Sequence, residues 1–216
     1  MRDMHCHILP GVDDGALDLS MSLEMIDAAR EAGVTSIVCT PHARDPYFDY
    51  DAMWSAFELL RSHTDMPLSM GFEVAHQKLQ ELGVREWAPR LAFADSDEFL
   101  LELDPSCPPD AFGHYERTIY QLQGLGYRVI IAHPERYRAV QKDLSLAERL
   151  VDLGCELQAS ADFVAGGRLG REKRPAKKLV QRGLYSYVAS DAHRPGHYGY
   201  LARALRDYDW EGGTGW

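Results

Sequence analysis

At 216 residues, 45% hydrophobic and 26% charged, the chain can bury one sizeable core and is too short for two large domains. Its formal net charge of −10 argues against general affinity for nucleic acid, and bound divalent cations would offset part of it. No apolar run reaches the roughly 18 to 20 residues needed to cross a bilayer, and there is no basic leader or signal-type stretch, so the expectation is a cytoplasmic protein without membrane insertion.

In chain order, short β-branched or apolar runs alternate with longer helical patterns. A strand over Met1–His5 precedes a helix over Leu19–Ala32, and a strand over Ser36–Thr40 precedes a helix over Asp51–Ser62. Strands over Leu68–Phe72 and Glu98–Leu103 follow, then a helix over Asp110–Gly124 whose cap is assigned to Asp110. The strands Arg128–Ala132, Cys155–Ala159 and Ser186–Ala189 complete the set, with helices over Leu144–Leu153, Arg171–Arg182 and Gly199–Asp207. Gly33, Gly124, Gly126, Gly154 and Gly183 stand where helices should stop. The pattern predicts an α/β fold in a single domain: a parallel barrel, with a doubly wound open sheet as the rival. The domain is placed at residues 1–210, leaving "EGGTGW", 211–216, as a flexible tail.

Metal-capable side chains fall at the ends of these strands. His5 and His7 close the first, His42 follows "SIVCTP", Glu73 follows "SMGF", Glu102 closes "FLLEL", His133 follows "VIIA", and Asp191 and His193 follow "YVAS". In a parallel barrel the loops after the strands share one mouth. Side chains alternate along an extended strand, so His5 and His7 face one way and Cys6 the other, and two imidazoles can grip one cation. Alone, such a pair is as readily a polar core feature; recurrence at five strand ends favours a metal site. Glu73 and Glu102 would be costly to bury as free anions, which cations remedy, although Glu102 could instead pair with an arginine. The segment Asp13–Asp14–Gly15 is read as one ligand and one helix cap.

The four cysteines form no C-x-x-C pair and fit reduced thiols. A cysteine phosphatase needs an arginine after five intervening residues; those positions hold Val12, Asp45, Gly113 and Ala161. Neither G-x-x-x-x-G-K-[ST] nor G-x-G-x-x-G occurs, so nucleotide binding is unsupported. His63, His76, His114 and His197 are read as surface or structural. The basic stretch "GGRLGREKRPAKK" reads as a solvated helix face; less strongly, Arg168, Arg171, Lys173 and Arg174 would attract an acidic phosphopeptide. In "DPYFDYDAMW", Tyr47, Phe48, Tyr50 and Trp54 are packing residues by default, with a phosphotyrosyl ring as the alternative contact.

The ordered motifs "HCHILPGVDDGA", "TPH", "GFE", "LLELD", "AHPERY" and "ASDAH" resemble the PHP (polymerase and histidinol phosphatase) superfamily. Within it they resemble the bacterial protein-tyrosine phosphatases of capsule and exopolysaccharide gene clusters. The resemblance implies a distorted (β/α)7 TIM-like barrel holding three divalent metal ions, manganese foremost, with iron or zinc as alternatives. It implies one ion on His5, His7, Glu73 and Asp191, a second on Glu73, Glu102 and His133, and a third on Asp14, His42 and His193. Arg136 matches an arginine that binds substrate phosphate, and Arg194 stands in for a second in a loop shorter than the branch leads one to expect. The implied substrate is phosphotyrosine on a protein, the tail of a bacterial tyrosine kinase that controls polysaccharide export. The alternatives are a small-molecule phosphomonoesterase on the same scaffold and a non-catalytic module that binds phosphoproteins; the oligomeric state stays open.

Overall fold

A computed structural model describes residues 1–168, 170–208 and 210; the tail expected at 211–216 lies outside them. The chain runs β1 (Arg2–Cys6), α1 (Leu19–Glu31), β2 (Ser36–Cys39), β3 (His42–Ala43), α2 (Tyr50–Arg61), β4 (Leu68–Met70), β5 (Glu73–Ala75), α3 (His76–Leu82) and α4 (Val84–Leu91). It continues through β6 (Glu98–Glu102), α5 (Gly113–Gly124), β7 (Arg128–Ala132), α6 (Arg138–Lys142), α7 (Ser145–Asp152), β8 (Glu156–Ser160), α8 (Lys173–Gln181), β9 (Tyr187–Ala189) and α9 (Tyr198–Asp207).

All pairings are parallel, in sheets ordered β1-β2-β4 and β3-β5-β6-β7-β8-β9. The path through β2 and β3 is one strand broken at Pro41, which has no N–H to give the ladder. A second break, at Gly71 and Phe72, separates β4 from β5. Counting each broken strand once, the nine strands among the described residues occupy seven positions. The ring closes where Cys6 bridges Ala192, with Asp191 N–H donating to the His5 carbonyl and His7 N–H to that of Ala192, both at 2.8 Å. The fold is a distorted parallel barrel in a single domain, and the closure excludes the open doubly wound sheet.

Alternation along the strands divides the apolar residues between two cores. Phe99 and Leu101 of β6 and Val129 and Ile131 of β7 pack outward under the helices. Leu100, Ile130 and Ala132 point inward with Met4, Val38, Phe93 and Ala189. At the N-terminal end of the barrel, buried Glu98 accepts from Arg2 at 2.9 Å and forms an ion pair with Arg128 at 3.0 Å, closing that end with paired charge. The opposite, C-terminal end is left for the loops.

Two helices, α3 and α4, lie in a stretch that the sequence reading left without a helix. Gly83 separates them and Pro89 sits inside α4, so neither gives a long uninterrupted period. Helix α5 starts at Gly113 instead of Asp110: Pro109 opens a short 3₁₀ turn, and Asp110 makes no capping bond. Among the described residues, no helix is long and apolar enough to cross a membrane.

Candidate metal centre

The C-terminal ends of the strands and the loop after β1 bring His5, His7, Asp14, His42, Glu73, Glu102, His133, Asp191 and His193 into one cluster at the barrel mouth, buried except for half-buried Asp14. Their donor atoms form four interlocking groups, each within 4.8 Å: His7, Asp14, His42 and His193; His5, His7 and Glu73; His5, His133 and Asp191; and His42, Glu73 and Glu102. Glu73 sits at the centre. Its carboxylate lies 2.6 Å from His133 Nε2 and from His42 Nδ1, and 3.5 Å from the Nε2 atoms of His5 and His7. Asp191 Oδ1 lies 3.5 Å from His5 Nε2 and 3.3 Å from His7 Nε2, and Asp14 Oδ1 lies 3.1 Å from His42 Nε2 and 3.3 Å from His193 Nε2.

Several of these atoms approach one another without hydrogen-bond geometry. Asp14 Oδ1, His42 Nδ1, Glu73 Oε2 and both oxygens of Asp191 are buried and lack a hydrogen-bond partner. Buried polar atoms are normally satisfied, and donors that converge on shared points are what a caged cation requires. His133 and Asp191, the two non-glycine residues with positive φ (33° and 47°) among those described, both belong to the cluster. Such strain gathers at functional sites.

The imidazoles are held from behind. His5 Nδ1–H donates to Gln158 Oε1 at 2.8 Å and His7 Nδ1–H to Asp13 Oδ2 at 2.8 Å, which leaves Nε2 of each as the free lone pair. Asp13 also accepts from the backbone N–H of Gly15 at 2.9 Å and of His42 at 3.1 Å. The cap expected in the Asp13–Asp14 pair is therefore absent: α1 is capped by Asp18, which accepts from Met21 N–H, while Asp13 braces the histidines.

The electrostatics favour cations. Burial lowers the proton affinity of His5, but Glu73 and Asp191 more than reverse this and raise its pKa to about 10. For His42, burial is likewise overcome by Glu73 and Asp14, giving about 9. Burial, then repulsion from Glu73, pushes Glu102 up to about 7. His133 goes the other way, to about 4, through burial and then Arg136. The carboxylates thus hold positive charge tightly, as protons or as metal ions. Five carboxylates and five imidazoles, counting Asp13 with the cluster, make a donor set that fits divalent cations.

Two cavities flank the cluster. One of about 360 Å³ is lined by Asp14, Arg136, Arg168, Asp191, His193 and Arg194. The other, about 420 Å³, reaches Glu102 and is lined by Arg44, His76 and Tyr115. Arg136 is buried; its Nη2 donates to Ser160 Oγ at 3.0 Å and Asp162 Oδ2 at 3.1 Å and lies 2.5 Å from Asp191 Oδ2, while its Nε has no partner. Arg194 lines the same cavity from an exposed position, and among the described residues its side chain makes no ion pair or hydrogen bond, although its carbonyl accepts from His197 N–H at 3.0 Å.

Sequence reading missed four contributors. Arg44 donates to His42 Nε2 at 2.9 Å and stands 3.6 Å from Glu102, so Glu102 has both an arginine neighbour and a place in the cluster. Strand alternation from His42 could have flagged it. Gln158 was detectable as a polar residue amid an apolar strand; Asp162 enters through a 3₁₀ turn that carries no signal. His197, read as surface or structural, accepts from His193 N–H at 3.2 Å and also lines the smaller cavity. Phe48 and Tyr50 pack against Phe72 and Trp87, and Trp54 against Tyr50 and Phe57, whereas Tyr47 stacks 5.9 Å from His42.

A sequence profile described as "Capsular polysaccharide synthesis, CpsB/CapC" matches residues 1–199. The chain belongs to the CpsB/CapC family. Among its relatives, Tyrosine-protein phosphatase YwqE of Bacillus subtilis is 36% identical over 203 residues, covering 89% of this chain and 77% of the relative. Tyrosine-protein phosphatase CpsB of Streptococcus pneumoniae is 28% identical over 207 residues, covering 89% and 83%. A chain from the crystal structures of YwqE from Bacillus subtilis and CpsB from Streptococcus pneumoniae, described as unique metal-dependent tyrosine phosphatases, superposes with a TM-score of 0.82 at 32% identity, covering 98% of this CpsB/CapC member and 89% of that chain. A 2-pyrone-4,6-dicarboxylic acid hydrolase from Acinetobacter baumannii, 14% identical with a TM-score of 0.53, shares the fold alone.

Proposed function

We propose that this CpsB/CapC member is a metal-dependent protein-tyrosine phosphatase that hydrolyses phosphotyrosine. The observation that carries the reading is Glu73: one buried carboxylate shared by imidazoles from three strand ends, at 2.6 to 3.5 Å. The resemblance to YwqE and CpsB supports it. His5, His7, Glu73 and Asp191 would hold one ion; Glu73, Glu102 and His133 a second; Asp14, His42 and His193 a third. Manganese is the first choice and iron or zinc the alternatives, since mixed imidazole and carboxylate ligands suit all three.

Divalent ions bound there supply a water of lowered pKa and positive charge for the phosphate oxygens. The protein's part is positional. Asp13 and Gln158 fix the His7 and His5 tautomers. Arg136, anchored by Ser160, Asp162 and Asp191, lines the smaller cavity and would turn the exposed part of its guanidinium toward a phosphate oxygen there. A tyrosine phenol has a pKa of about 10, so its phenolate departs with little need of a proton donor. The substrate protein is the tail of a bacterial tyrosine kinase that controls capsule or exopolysaccharide synthesis. The catalytic domain is residues 1–210. A cytoplasmic location accords with the four free, buried cysteines.

Elemental analysis of purified protein, combined with phosphotyrosyl-peptide turnover after chelation and metal add-back, tests the reading. Chelation should abolish turnover and manganese should restore it, with histidinol phosphate and sugar phosphates turned over far more slowly. Chelator-resistant turnover would overturn it.

A further inference from the structure

Building on the phosphatase reading, we propose that Arg168 is a phosphate-binding residue that faces Arg136 across the smaller cavity and clamps the phosphoryl group from the opposite side.

Arg168 lies in the turn between β8 and α8, 154 residues along the chain from Asp14, yet its Nη2 donates to Asp14 Oδ2 at 2.8 Å and its Nη1 lies 3.4 Å from His193 Nε2. The turn is built to bring it there. Gly166 and Gly167 precede it with φ of 123° and 79°, a region that side chains other than glycine rarely adopt. A Cβ on Gly167 would fall 2.5 Å from the carboxyl carbon of Glu172, a fully buried residue at the start of α8. Only glycine lets the backbone pass so close to that buried acid and project the next side chain over the mouth.

The two oxygens of Asp14 divide their work. Oδ1 faces His42 and His193 at 3.1 and 3.3 Å, and Oδ2 takes Arg168. A guanidinium has five donors in a planar fork, of which the contacts with Asp14 and His193 use one on each arm. The Arg168 side chain is 49% exposed, so the remaining donors are open to the cavity of about 360 Å³ that it lines with Arg136. An exposed Arg–Asp pair adds little stability by itself, so a purely structural role gives no reason for the strained glycines. Arg136 reaches the same cavity from the turn after β7, immobilised by three acceptors. A phosphate between them meets two guanidinium groups from different loops, on a protein of net charge −10 that otherwise repels a dianion. Arg194 lines the same cavity, but among the described residues its side chain makes no ion pair or hydrogen bond to the cluster.

The test uses full-length Arg168→Ala, Arg168→Lys and Arg194→Ala over a manganese titration that ends at saturation, with metal content measured in each. The readouts are KM and kcat for a phosphotyrosyl peptide and the inhibition constant of inorganic phosphate. Loss of one charge-assisted contact should raise KM and the phosphate constant about tenfold or more in Arg168→Ala, with a smaller effect on kcat. Arg168→Lys should recover part of the loss, since lysine keeps the charge without the fork. Arg194→Ala should weaken phosphate less than Arg168→Ala does. Values within about twofold of wild type in Arg168→Ala would overturn the assignment, as would a larger loss in Arg194→Ala. A defect that disappears as manganese is raised would also overturn it, by showing that Arg168 serves only to orient Asp14. If wild type fails to turn over the peptide, the phosphatase reading falls; calorimetric binding of inorganic phosphate to wild type and Arg168→Ala then still decides the role of Arg168.

Discussion

Asp13 uses both carboxylate oxygens to brace the site: one on the His7 imidazole and the His42 backbone, the other on the backbone of Gly15. Buried but flanked by His7, it is held below the ordinary carboxylate range and stays charged. Such partners of ligating histidines typically govern metal affinity by 10- to 100-fold. Asp13→Asn should therefore weaken manganese binding by roughly that factor in a titration of apoprotein, while circular dichroism stays unchanged; unaltered affinity would remove Asp13 from the site. Of the adjacent acids, the sequence indicated that one ligates and one has another task, but not that the task was holding a histidine. That depended on where the loop folds relative to β1.

At the scale of elements, α1 and the loop before it separate stability from function. Asp18 caps α1 by accepting from Met21 N–H at 2.9 Å with an exposed side chain that is not among the candidate ligands. Asp18→Ala should cost about 1 kcal/mol of stability and lower Tm with little change in turnover. Gly15 differs: a Cβ there would lie 2.0 Å from the His7 carbonyl oxygen. Gly15→Ala should therefore displace Asp13 and Asp14 together, lowering turnover and metal content even where Tm is kept. If the alanine variant retained full activity, the loop would not position the site. Strands such as Arg128–Ala132 were legible because a fully buried parallel strand is a short apolar run with sharp ends. Helices α3 and α4 were not, since Gly83 and Pro89 interrupt the period on which such reading depends.

Across the whole molecule, the mouth concentrates carboxylates on an anionic protein, so cation binding and stability are linked. Any ion that binds only the folded state stabilises it, by about 2.7 kcal/mol at a hundredfold excess over Kd. Protons compete for the same places. Because His5 is raised to about 10 and His42 to about 9, each holds its proton in the apoprotein well above the free imidazole value, and an ion must displace it. The Tm increase produced by a fixed manganese concentration should therefore grow as pH rises from 6 to 8, instead of levelling off near pH 6.5. An increment that is flat over that interval would contradict histidine-held metal. The sequence by itself determined the parallel β/α succession, the placement of nine candidate ligands after strands, and the absence of a cysteine nucleophile at phosphatase spacing, because each is set by local periodicity or spacing. Tertiary structure alone decided which residue backs which. The pairings of Gln158 with His5, Arg44 with His42 and Glu102, and Arg168 with Asp14 span 153, 58 and 154 residues at their widest. They exist because barrel closure brings distant strand ends to one rim, and no local pattern encodes which loops will meet there.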